Sequence, residues 1–430
     1  MIDPSANYIE KCVIMISHSN YRIRWGGVDK YLYEVTDLLA GRGIHSVQLF
    51  PVVEVNNKYQ KIGSRKFYIG INVDGQYAGI VEWGKIGAAF ERIAEGFRIE
   101  GIHIHNLYGW DTERLADLLL KINKPVRIFV HDYLMICRYN MEGDSYLRYC
   151  GRKIRKPAEQ ECEECPYCKE ALQEYSKIKG FLTRIQDNID RIVVPSQLCK
   201  EIWGNSYDSI AKPVVVRDHL KLIGEDGQAD PIDMLKIGYM GAALDHKGIN
   251  EWNTLVDKCK GIEGISLFYL GRDNIDNDAV KAIRVDFQDR DTPSMSEALK
   301  ENKINCVLMW SKCSETYSYT FYEALAAGCF VLTNTFSGNI KASIEKYGNG
   351  KSFDTIEEAI RYISDIKAVI SDINEYRRNS RIPVSIQPND STEELVFSEG
   401  TDTYTDRIIN INTNPVWSFI YRIMRVRRYR

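Results

Sequence analysis

The feature of this sequence that most constrains its fold is the alternation of short apolar runs with amphipathic helical patterns. The runs in the first half that read as buried strands are CVIMIS (12–17), SVQLF (46–50), GIHIH (101–105), VRIFV (126–130) and RIVV (191–194). Helical patterns lie between several of them, for example at 28–43 and 111–122. Because strand–helix alternation produces a parallel sheet with helices on both faces, this half predicts a doubly wound α/β domain.

The same pattern restarts in the second half of the chain. The second set of predicted strands is LKIGYM (235–240), ISLFYL (265–270), IRVDF (283–287), CVLMW (306–310) and FVLT (330–333). We therefore predict two Rossmann-like domains, at 1–215 and 216–380, that face each other across a cleft. A polar segment and a basic C-terminal helix follow at 381–430, and residues 381–406 are expected to be irregular. Ligands of such sheets bind at the carboxyl ends of the strands.

Composition and charge exclude several classes of protein. The chain has 430 residues, of which 44% are hydrophobic and 27% charged, as in an ordinary globular protein. A net charge of −3 argues against a general nucleic-acid binder, which is usually basic. No signal peptide and no apolar run of about 18 residues is visible, so we predict a cytoplasmic protein without a membrane span. The eleven cysteines then fit a reducing compartment better than a disulfide framework.

The stretch SETYSYTFYEALAAG (314–328) places two carboxylates, Glu315 and Glu323, directly after a predicted strand. A helix is expected from about 318 to 327, and Gly328 can adopt the left-handed conformation that ends it. The N–H groups at the start of this helix form a ready anion site, made by Ser318, Tyr319 and Thr320. A nucleoside diphosphate bound there would have a carboxylate on either side. The alternative interpretation is a helix cap with a solvated glutamate.

The two glutamates, followed by ALAAG and a strand, resemble the C-terminal signature of retaining GT-B glycosyltransferases of the large family-4 group. Other segments fall in the order of that family, namely GGVDKYLYEVTDLLAGRGIHSVQLF (26–50), VHDYLMIC (130–137), DRIVVPSQLCKEIW (190–203) and IGYMGAALDHKG (237–248). The resemblance covers roughly residues 10 to 375. It implies a GT-B fold and the transfer of a sugar from a nucleoside diphosphate donor to a hydroxyl acceptor.

The resemblance also implies roles for individual residues. Glu315 would lie near the donor sugar, and Glu323 would hold the ribose. Lys247 would contact the diphosphate, where a cation offsets charge on the leaving group. The alternative for Lys247 is a surface lysine before a helix cap. Three glycines are placed at the donor site or the cleft, namely Gly26, Gly27 and Gly241. Because glycine has no Cβ, its N–H group can approach a phosphate or the acceptor closely. A simple turn is the alternative for Gly26 and Gly27.

Histidines form a second group of candidates. His131 follows a predicted strand and is expected to face the cleft, where it would contact the donor sugar or position the acceptor. A structural histidine is the alternative. His103 and His105 alternate along one strand and so share a face, a pattern that can also ligate a metal ion. Packing is favoured for His103, and a place at the cleft is favoured for His105 and Asn106.

Two positions depart from the family pattern. The family usually has an arginine five residues before the lysine, but Ala242 stands there in this chain. A charge-assisted hydrogen bond contributes roughly 1.5–3 kcal/mol, so donor binding needs another cation or is weaker. The nearest candidates in sequence are His246 and Arg272. The second departure is Ser318, which stands where the family often has glycine.

A cysteine-rich insertion, CRYNMEGDSYLRYCGRKIRKPAEQECEECPYC (137–168), follows the segment that contains His131. Thiolates at C-x2-C spacing can bind Zn²⁺ tetrahedrally, and a segment with few large apolar residues gains stability from a structural metal. The predicted ligands are Cys150, Cys162, Cys165 and Cys168, with Cys137 as a further candidate. Unligated thiols and disulfides are the alternatives. Catalysis itself needs no divalent ion if Lys247 and the helix N-terminus carry the charge.

The tail NPVWSFIYRIMRVRRYR (414–430) contains five arginines and no acid. The apolar residues that share one helical face are Val416, Phe419, Ile420, Ile423 and Met424. A basic amphipathic helix of this kind suits the anionic inner surface of a cell membrane. The alternative is a helix that returns to pack on the N-terminal domain.

These patterns together predict a retaining glycosyltransferase whose acceptor is a growing bacterial surface polysaccharide or a lipid-linked glycan. Two other functions remain open at this point. One is a nucleotide-sugar epimerase or hydrolase on the same fold, which would act without an acceptor. The other is a non-catalytic paralogue that binds glycans or a partner enzyme, which Ala242 favours and which the presence of Glu315, Glu323 and Lys247 opposes.

Overall fold

A computed structural model describes residues 10–24, 26–61, 66–137, 168–224, 230–287, 289, 291–379, 385–398, 411, 414–416, 418–419 and 421. The strands are β1 (Glu10–Ile16), β2 (Ile44–Pro51), β3 (Tyr68–Val73), β4 (Gln76–Glu82), β5 (Phe97–Ile104), β6 (Val126–Phe129), β7 (Ile189–Val194), β8 (Val214–Val216), β9 (Leu220–Ile223), β10 (Leu235–Met240), β11 (Ile265–Gly271), β12 (Val280–Arg284), β13 (Cys306–Met309), β14 (Phe330–Asn334), β15 (Gly350–Phe353) and β16 (Ser385–Pro388). The α-helices are α1 (Gly27–Ala40), α2 (Val53–Lys61), α3 (Ile86–Gly96), α4 (Thr112–Ile122), α5 (Cys168–Arg184), α6 (Gln197–Ser206), α7 (Ile249–Cys259), α8 (Met295–Glu301), α9 (Tyr319–Ala326), α10 (Asn339–Tyr347), α11 (Ile356–Ser364) and α12 (Ile366–Asn379).

The N-terminal sheet has the strand order β4-β3-β2-β1-β5-β6-β7-β8. The neighbours in the series β2-β1-β5-β6-β7-β8 are parallel. At the edge, β3 pairs antiparallel with β2 and forms an antiparallel hairpin with β4. Val13 and Met15 of β1 pack on the α1 side, and Ile14 and Ile16 belong to the core on the other face, so β1 is covered on both faces. The chain reverses its direction of travel across the sheet between β1 and β5, which places a ligand crevice beyond their carboxyl ends.

The C-terminal sheet is wholly parallel, with the order β12-β11-β10-β13-β14-β15. Numbered by appearance in the chain, this is the 3-2-1-4-5-6 order of a Rossmann sheet. Its switch point lies between β10 and β13, so Gly241 and the loop 310–318 stand at the carboxyl edge where ligands bind. The predicted fold class, two Rossmann-like α/β domains, is confirmed.

Helix α9 begins where the sequence predicts. Ser318 is its N-cap, and the Ser318 side chain accepts a hydrogen bond from the Phe321 N–H. The helix ends at Ala326, and Gly328 follows with a φ of +66°. Because that conformation suits glycine, the chain can turn directly into β14. The short helix therefore presents its N-terminus at the same edge of the sheet as Gly241.

Residues 385–398 begin against the C-terminal core and end against the N-terminal sheet. Strand β16 pairs antiparallel with β9, and Leu395 is fully buried on the α1 side of the sheet. The guanidinium of Arg127 donates hydrogen bonds to the carbonyl oxygens of Glu393 and Val396. The prediction of an irregular stretch is therefore wrong for residues 385–388. Their partners lie far away in sequence, which a local polar pattern does not indicate.

The described part of the tail contacts the N-terminal domain. The Ser418 hydroxyl accepts a hydrogen bond from the Ile80 N–H at 3.2 Å, and Tyr421 packs into a cluster on β2, β3 and β4. Val416 and Phe419 point away from this contact and are 64% and 65% exposed. Outside the described residues lie the other members of the predicted apolar face, Ile420, Ile423 and Met424. No helix in the described part of the chain is long and apolar enough to cross a membrane.

Candidate functional site

A cleft of about 780 Å³ lies between the carboxyl ends of the two sheets. Its lining comes from both domains, as two facing switch points require. The structure brings together in this cleft the residues that the sequence predicts for catalysis or donor binding, namely Gly26, Gly27, His131, Gly241, Lys247, Glu315, Ser318, Tyr319, Thr320 and Glu323.

Lys247 and Glu315 form an ion pair across the switch point of the C-terminal sheet. Lys247 Nζ lies 2.5 Å from Glu315 Oε1, and the Ser311 hydroxyl donates to the same oxygen at 2.9 Å. Burial alone would lower the pKa of the Lys247 amine, but the adjacent carboxylate outweighs it and raises that pKa above the ordinary value. Lys247 is therefore a fixed cation at neutral pH.

A glycine allows the two loops of this pair to approach. Gly248 follows Lys247 with a φ of +85°, and a Cβ at this position would lie 2.4 Å from the Trp310 carbonyl oxygen. No other residue type fits both the backbone conformation and the space. The Gly248 contact holds the turn after β10 against the end of β13, and so brings Lys247 to Glu315.

The backbone of Glu315 is fixed from the opposite side. Its N–H donates to the Ser337 carbonyl at 3.2 Å, and its carbonyl accepts from the Asn339 N–H at 2.8 Å. Gly338 lies between these two partners with a φ of +65°, and a Cβ there would lie 2.3 Å from Ser314 Oγ and 2.7 Å from the Glu315 nitrogen. The side chain of Glu315 therefore enters the cleft from a closely packed backbone.

The first turn of α9 faces Gly241 across the cleft. Gly241 has a φ of +94°, and the nearest atom to an ideal Cβ there is Thr320 Cγ2, at 3.9 Å. Tyr319 and Thr320 are the first residues of the helix, where N–H groups without helical acceptors carry partial positive charge. An anion placed between Gly241 and Thr320 would also lie close to the Lys247 side of the cleft.

The glycine pair on the N-terminal side is held by a carboxylate that the sequence pattern did not single out. Asp29 accepts hydrogen bonds from the Gly26 N–H at 2.9 Å and the Ser19 hydroxyl at 3.2 Å. Burial raises the pKa of Asp29 to about 6, and these hydrogen bonds oppose the rise. Around an ideal Cβ at Gly27 there is nothing within 4 Å, so that side of the loop is open. An acid three residues after a helix N-cap is the signal that would have identified Asp29.

His131 is a neutral imidazole in this cleft. Burial lowers its pKa to about 3, and His18 and Arg217 add to the effect. Its Nε2 lies 3.0 Å from His105 Nδ1, so one of these rings donates to the other. His105 therefore lies behind His131, which lines the cleft. His103 is fully buried and packs against Phe129, with ring centroids 4.8 Å apart.

The predicted zinc ligands lie mostly beyond the structure. Cys150, Cys162 and Cys165 fall outside the described residues, and the side chain of Cys168 is not described. Cys137 is buried at the end of the segment that follows β6. Within the described ranges no cluster of three or more His, Cys, Asp or Glu side chains could hold a metal ion. The zinc site stays a prediction.

Glu323 pairs with a cation from the opposite domain that the sequence did not indicate. Lys30 Nζ of α1 lies 3.0 Å from Glu323 Oε1. A second contact lies one turn after Lys30 on α1 and one turn before Glu323 on α9, where the Tyr319 hydroxyl donates to Glu34 Oε2 at 3.0 Å. Burial raises the pKa of Glu34 to about 7, although Lys30 opposes it. The i, i+4 spacing within each helix lets α1 and α9 make two contacts across the cleft.

The positions that depart from the family pattern also line the cleft. Ala242 is exposed there, directly after Gly241. His246 and Arg272 line the same cleft. Burial and the neighbouring Lys247 lower the pKa of His246, so this ring does not supply a cation at neutral pH.

Substituting Gly338 by alanine tests whether the packing behind Glu315 matters to ligand binding. The Cβ would displace Ser314 and the backbone of Glu315. Because this loop leads into the N-cap of α9, where the anion site lies, we expect weaker nucleotide binding in addition to lower stability. Gly348→Ala is the matched control, because Gly348 has the same φ of +65° but nothing within 4 Å of its ideal Cβ. Both changes should cost about 1–2 kcal/mol or more in unfolding free energy. Isothermal titration should show reduced nucleotide affinity for Gly338→Ala alone, and equal affinity in the two variants would contradict this account.

Comparison with known proteins supports the fold. No protein-family model and no curated protein matches the sequence. The solved structure of sucrose-phosphate synthase from Thermosynechococcus elongatus is similar, with a TM-score of 0.53, 14% identity, and coverage of 86% of this chain and 95% of that chain. The pneumococcal O-GlcNAc transferase GtfA, solved in complex with UDP and GlcNAc, is similar with a TM-score of 0.51, 9% identity, and coverage of 86% and 96%. Similarity at this identity shows the fold, and this chain has the two-domain GT-B fold of these structures.

Proposed function

We propose that this chain is a retaining glycosyltransferase of the family-4 type. It transfers a sugar from a nucleoside diphosphate sugar to a hydroxyl of a glycan or lipid-linked saccharide. The observation that carries the proposal is the meeting of Lys247, Glu315 and Glu323 around the N-terminus of α9, at the switch point of a Rossmann sheet. Of the two solved structures of similar fold, one is a sucrose-phosphate synthase and the other is an O-GlcNAc transferase in complex with UDP and GlcNAc.

The donor would occupy the C-terminal side of the cleft. Its diphosphate lies over the N–H groups of Tyr319 and Thr320, with Lys247 as a cation on one side. The ribose hydroxyls bond to the carboxylate of Glu323. The apolar wall near Val285 and the 43% exposed Phe287 offers a surface for the base. This arrangement matches each part of the donor to a group of suitable charge or polarity.

The chemistry would depend on positioning and on stabilising the leaving group. The bond between the anomeric carbon and the phosphate oxygen breaks, and the acceptor oxygen bonds to that carbon. The acceptor proton passes to the released diphosphate, whose charge Lys247 and the α9 N-terminus offset. Glu315 lies beside Lys247, at the sugar end of the diphosphate, and neutral His131 can hydrogen-bond a sugar hydroxyl from the opposite domain. We assign no covalent nucleophile.

The acceptor would approach through the N-terminal domain. A groove of about 1030 Å³ on this domain shares Asn106, Tyr108 and Asp132 with the cleft, so the two spaces adjoin at these side chains. Tyr108 is 43% exposed at their junction and offers a ring on which a sugar can stack. A surface polysaccharide or a lipid-linked glycan is our proposal for the acceptor. Contact of the tail with the inner face of the membrane is part of the same proposal, supported by the exposed Val416 and Phe419.

A panel of donors tests the function. Thermal unfolding with UDP-, GDP-, ADP- and dTDP-sugars should identify one that stabilises the chain, because ligand at 100 times its dissociation constant adds about 2.7 kcal/mol. Incubation with that donor and glycan acceptors should then form a glycoside whose anomeric configuration, measured by NMR, matches that of the donor. Free sugar or an epimer formed without acceptor would instead favour a hydrolase or an epimerase. Binding without any turnover would favour a non-catalytic paralogue.

The two glutamates should have separable effects. Glu315→Gln removes a charge beside the reacting sugar, so transfer should fall by about 100-fold or more while nucleoside diphosphate affinity stays within about 3-fold. Glu323→Ala removes the ribose contact, so binding of both the nucleoside and its diphosphate should weaken. Isothermal titration and single-turnover transfer assays measure these effects. Equal loss of nucleotide affinity in both variants would refute the separate roles.

A further inference from the structure

A second cation reaches the start of α9 from the N-terminal domain. Lys30 lies in the first turns of α1, shortly after the glycine pair. Its Nζ lies 3.0 Å from Glu323 Oε1 and 4.4 Å from the centroid of the Tyr319 ring. Tyr319 is the first residue of α9 and Glu323 lies one turn further on, so the ammonium lies against side chains of the first two turns of α9, next to the carboxylate proposed to hold the ribose.

We propose that Lys30 is a donor-binding residue that supplies the second cation for the diphosphate. The inference rests on the proposed function, because it names a further contact of the same donor. Lys30 and Lys247 would then bind the diphosphate from the two domains, each beside one of the two carboxylates. Lys30 would then supply, from the opposite side of the cleft, the positive charge that an arginine at position 242 would have supplied to the diphosphate.

Other cations are less well placed. Among the described residues that line the cleft, the lysines and arginines are Lys30, Lys247 and Arg272. Arg272 follows β11, one strand further from the switch point than the β10 loop that carries Lys247. Lys30, in contrast, touches two residues of α9 itself. Burial lowers the pKa of Lys30, but Glu323 and Glu34 outweigh it and raise that pKa above the ordinary value, so the side chain is charged.

The geometry allows Lys30 to keep Glu323 and gain a phosphate. An ammonium has three N–H donors and a carboxylate has two acceptor oxygens. Lys30 can therefore donate to Glu323 and to a phosphate oxygen, while the ribose hydroxyls bond to the other side of the carboxylate. Because Lys30 and Glu323 belong to different domains, donor binding would strengthen the contact between α1 and α9. Affinity for the diphosphate would then depend on the N-terminal domain, whereas affinity for the nucleoside would not.

The test compares Lys30→Met with Lys258→Met, whose lysine is exposed on α7 and is not among the residues that line the cleft. The probes are whichever of UDP, GDP, ADP and dTDP stabilises the unaltered chain most, and the matching nucleoside, in isothermal titrations. We expect Lys30→Met to weaken diphosphate binding by about 10- to 150-fold, the loss of one charge-assisted hydrogen bond. Nucleoside affinity should change by less than about 3-fold, and Lys258→Met should change neither. Lys30→Gln gives the same test if methionine destabilises the chain.

A rescue variant makes the test specific to charge. Ala242 is exposed in the cleft next to Gly241, which faces Thr320, so Ala242→Arg would add a cation at the same diphosphate. In the Lys30→Met background it should recover diphosphate affinity by about 10-fold or more. Unchanged diphosphate affinity in Lys30→Met, or equal losses for nucleoside and diphosphate, would overturn the inference and leave the proposed function standing. Failure of every diphosphate to bind the unaltered chain would overturn both.

Discussion

The structure depends most on how the loop 310–318 is held between the two domains. The Thr316 hydroxyl donates to the His131 carbonyl at 2.5 Å, and the Thr316 carbonyl accepts from the Ser196 hydroxyl at 2.8 Å. Both partners belong to the N-terminal domain. The same loop carries Glu315 and ends at the N-cap of α9, so these two hydrogen bonds fix the candidate donor site relative to the opposite sheet. They also place neutral His131 across the cleft from the Lys247–Glu315 pair.

The charges of the cleft are arranged in pairs before any ligand binds. Lys247 is paired with Glu315, and Lys30 with Glu323. In the proposed donor complex, the two lysines and the α9 N-terminus would offset the negative charge of the diphosphate, while Glu323 would accept hydrogen bonds from the ribose hydroxyls. Because the N–H groups of α9 and the two lysines are already in position, the site would need little reorganisation when the sugar donor binds. That is the condition for strong electrostatic stabilisation of a leaving group. The closely packed backbone around Gly338 also orients Glu315 before a ligand binds.

Local signals predicted the parts of the molecule that local chemistry determines. Apolar runs located β1, β10 and β13, and the helix predicted at about 318–327, with Gly328 after it, is α9. The hairpin of β3 and β4 was missed, although Asp74 and Gly75 form its turn with φ values of 49° and 74°, and an Asp-Gly pair is a strong hairpin signal. Strand β12 was placed at 283–287 but is Val280–Arg284, because its pairing with β11 decides its position.

Contacts between distant residues were beyond prediction from the sequence. Lys30 and Glu323 are separated by 293 positions, and their contact depends on how the two domains pack against each other. Asp29 could have been recognised from its place after a helix N-cap, but Lys30 carries no such local signal. In the same way, β16 and Leu395 gain their order from partners far back in the chain. The candidate glutamates and Lys247 were found because the spacing around them resembles a family pattern.

The most direct test of the account is a crystal structure of the chain with a bound nucleoside diphosphate. We expect the diphosphate over the N–H groups of Tyr319 and Thr320, with Lys247 within hydrogen-bond distance of a phosphate oxygen. The ribose hydroxyls should contact Glu323, and the β-phosphate should point towards Glu315 and His131. A nucleotide bound outside this cleft, or bound in it with the diphosphate directed away from α9, would contradict the assignment of the donor site.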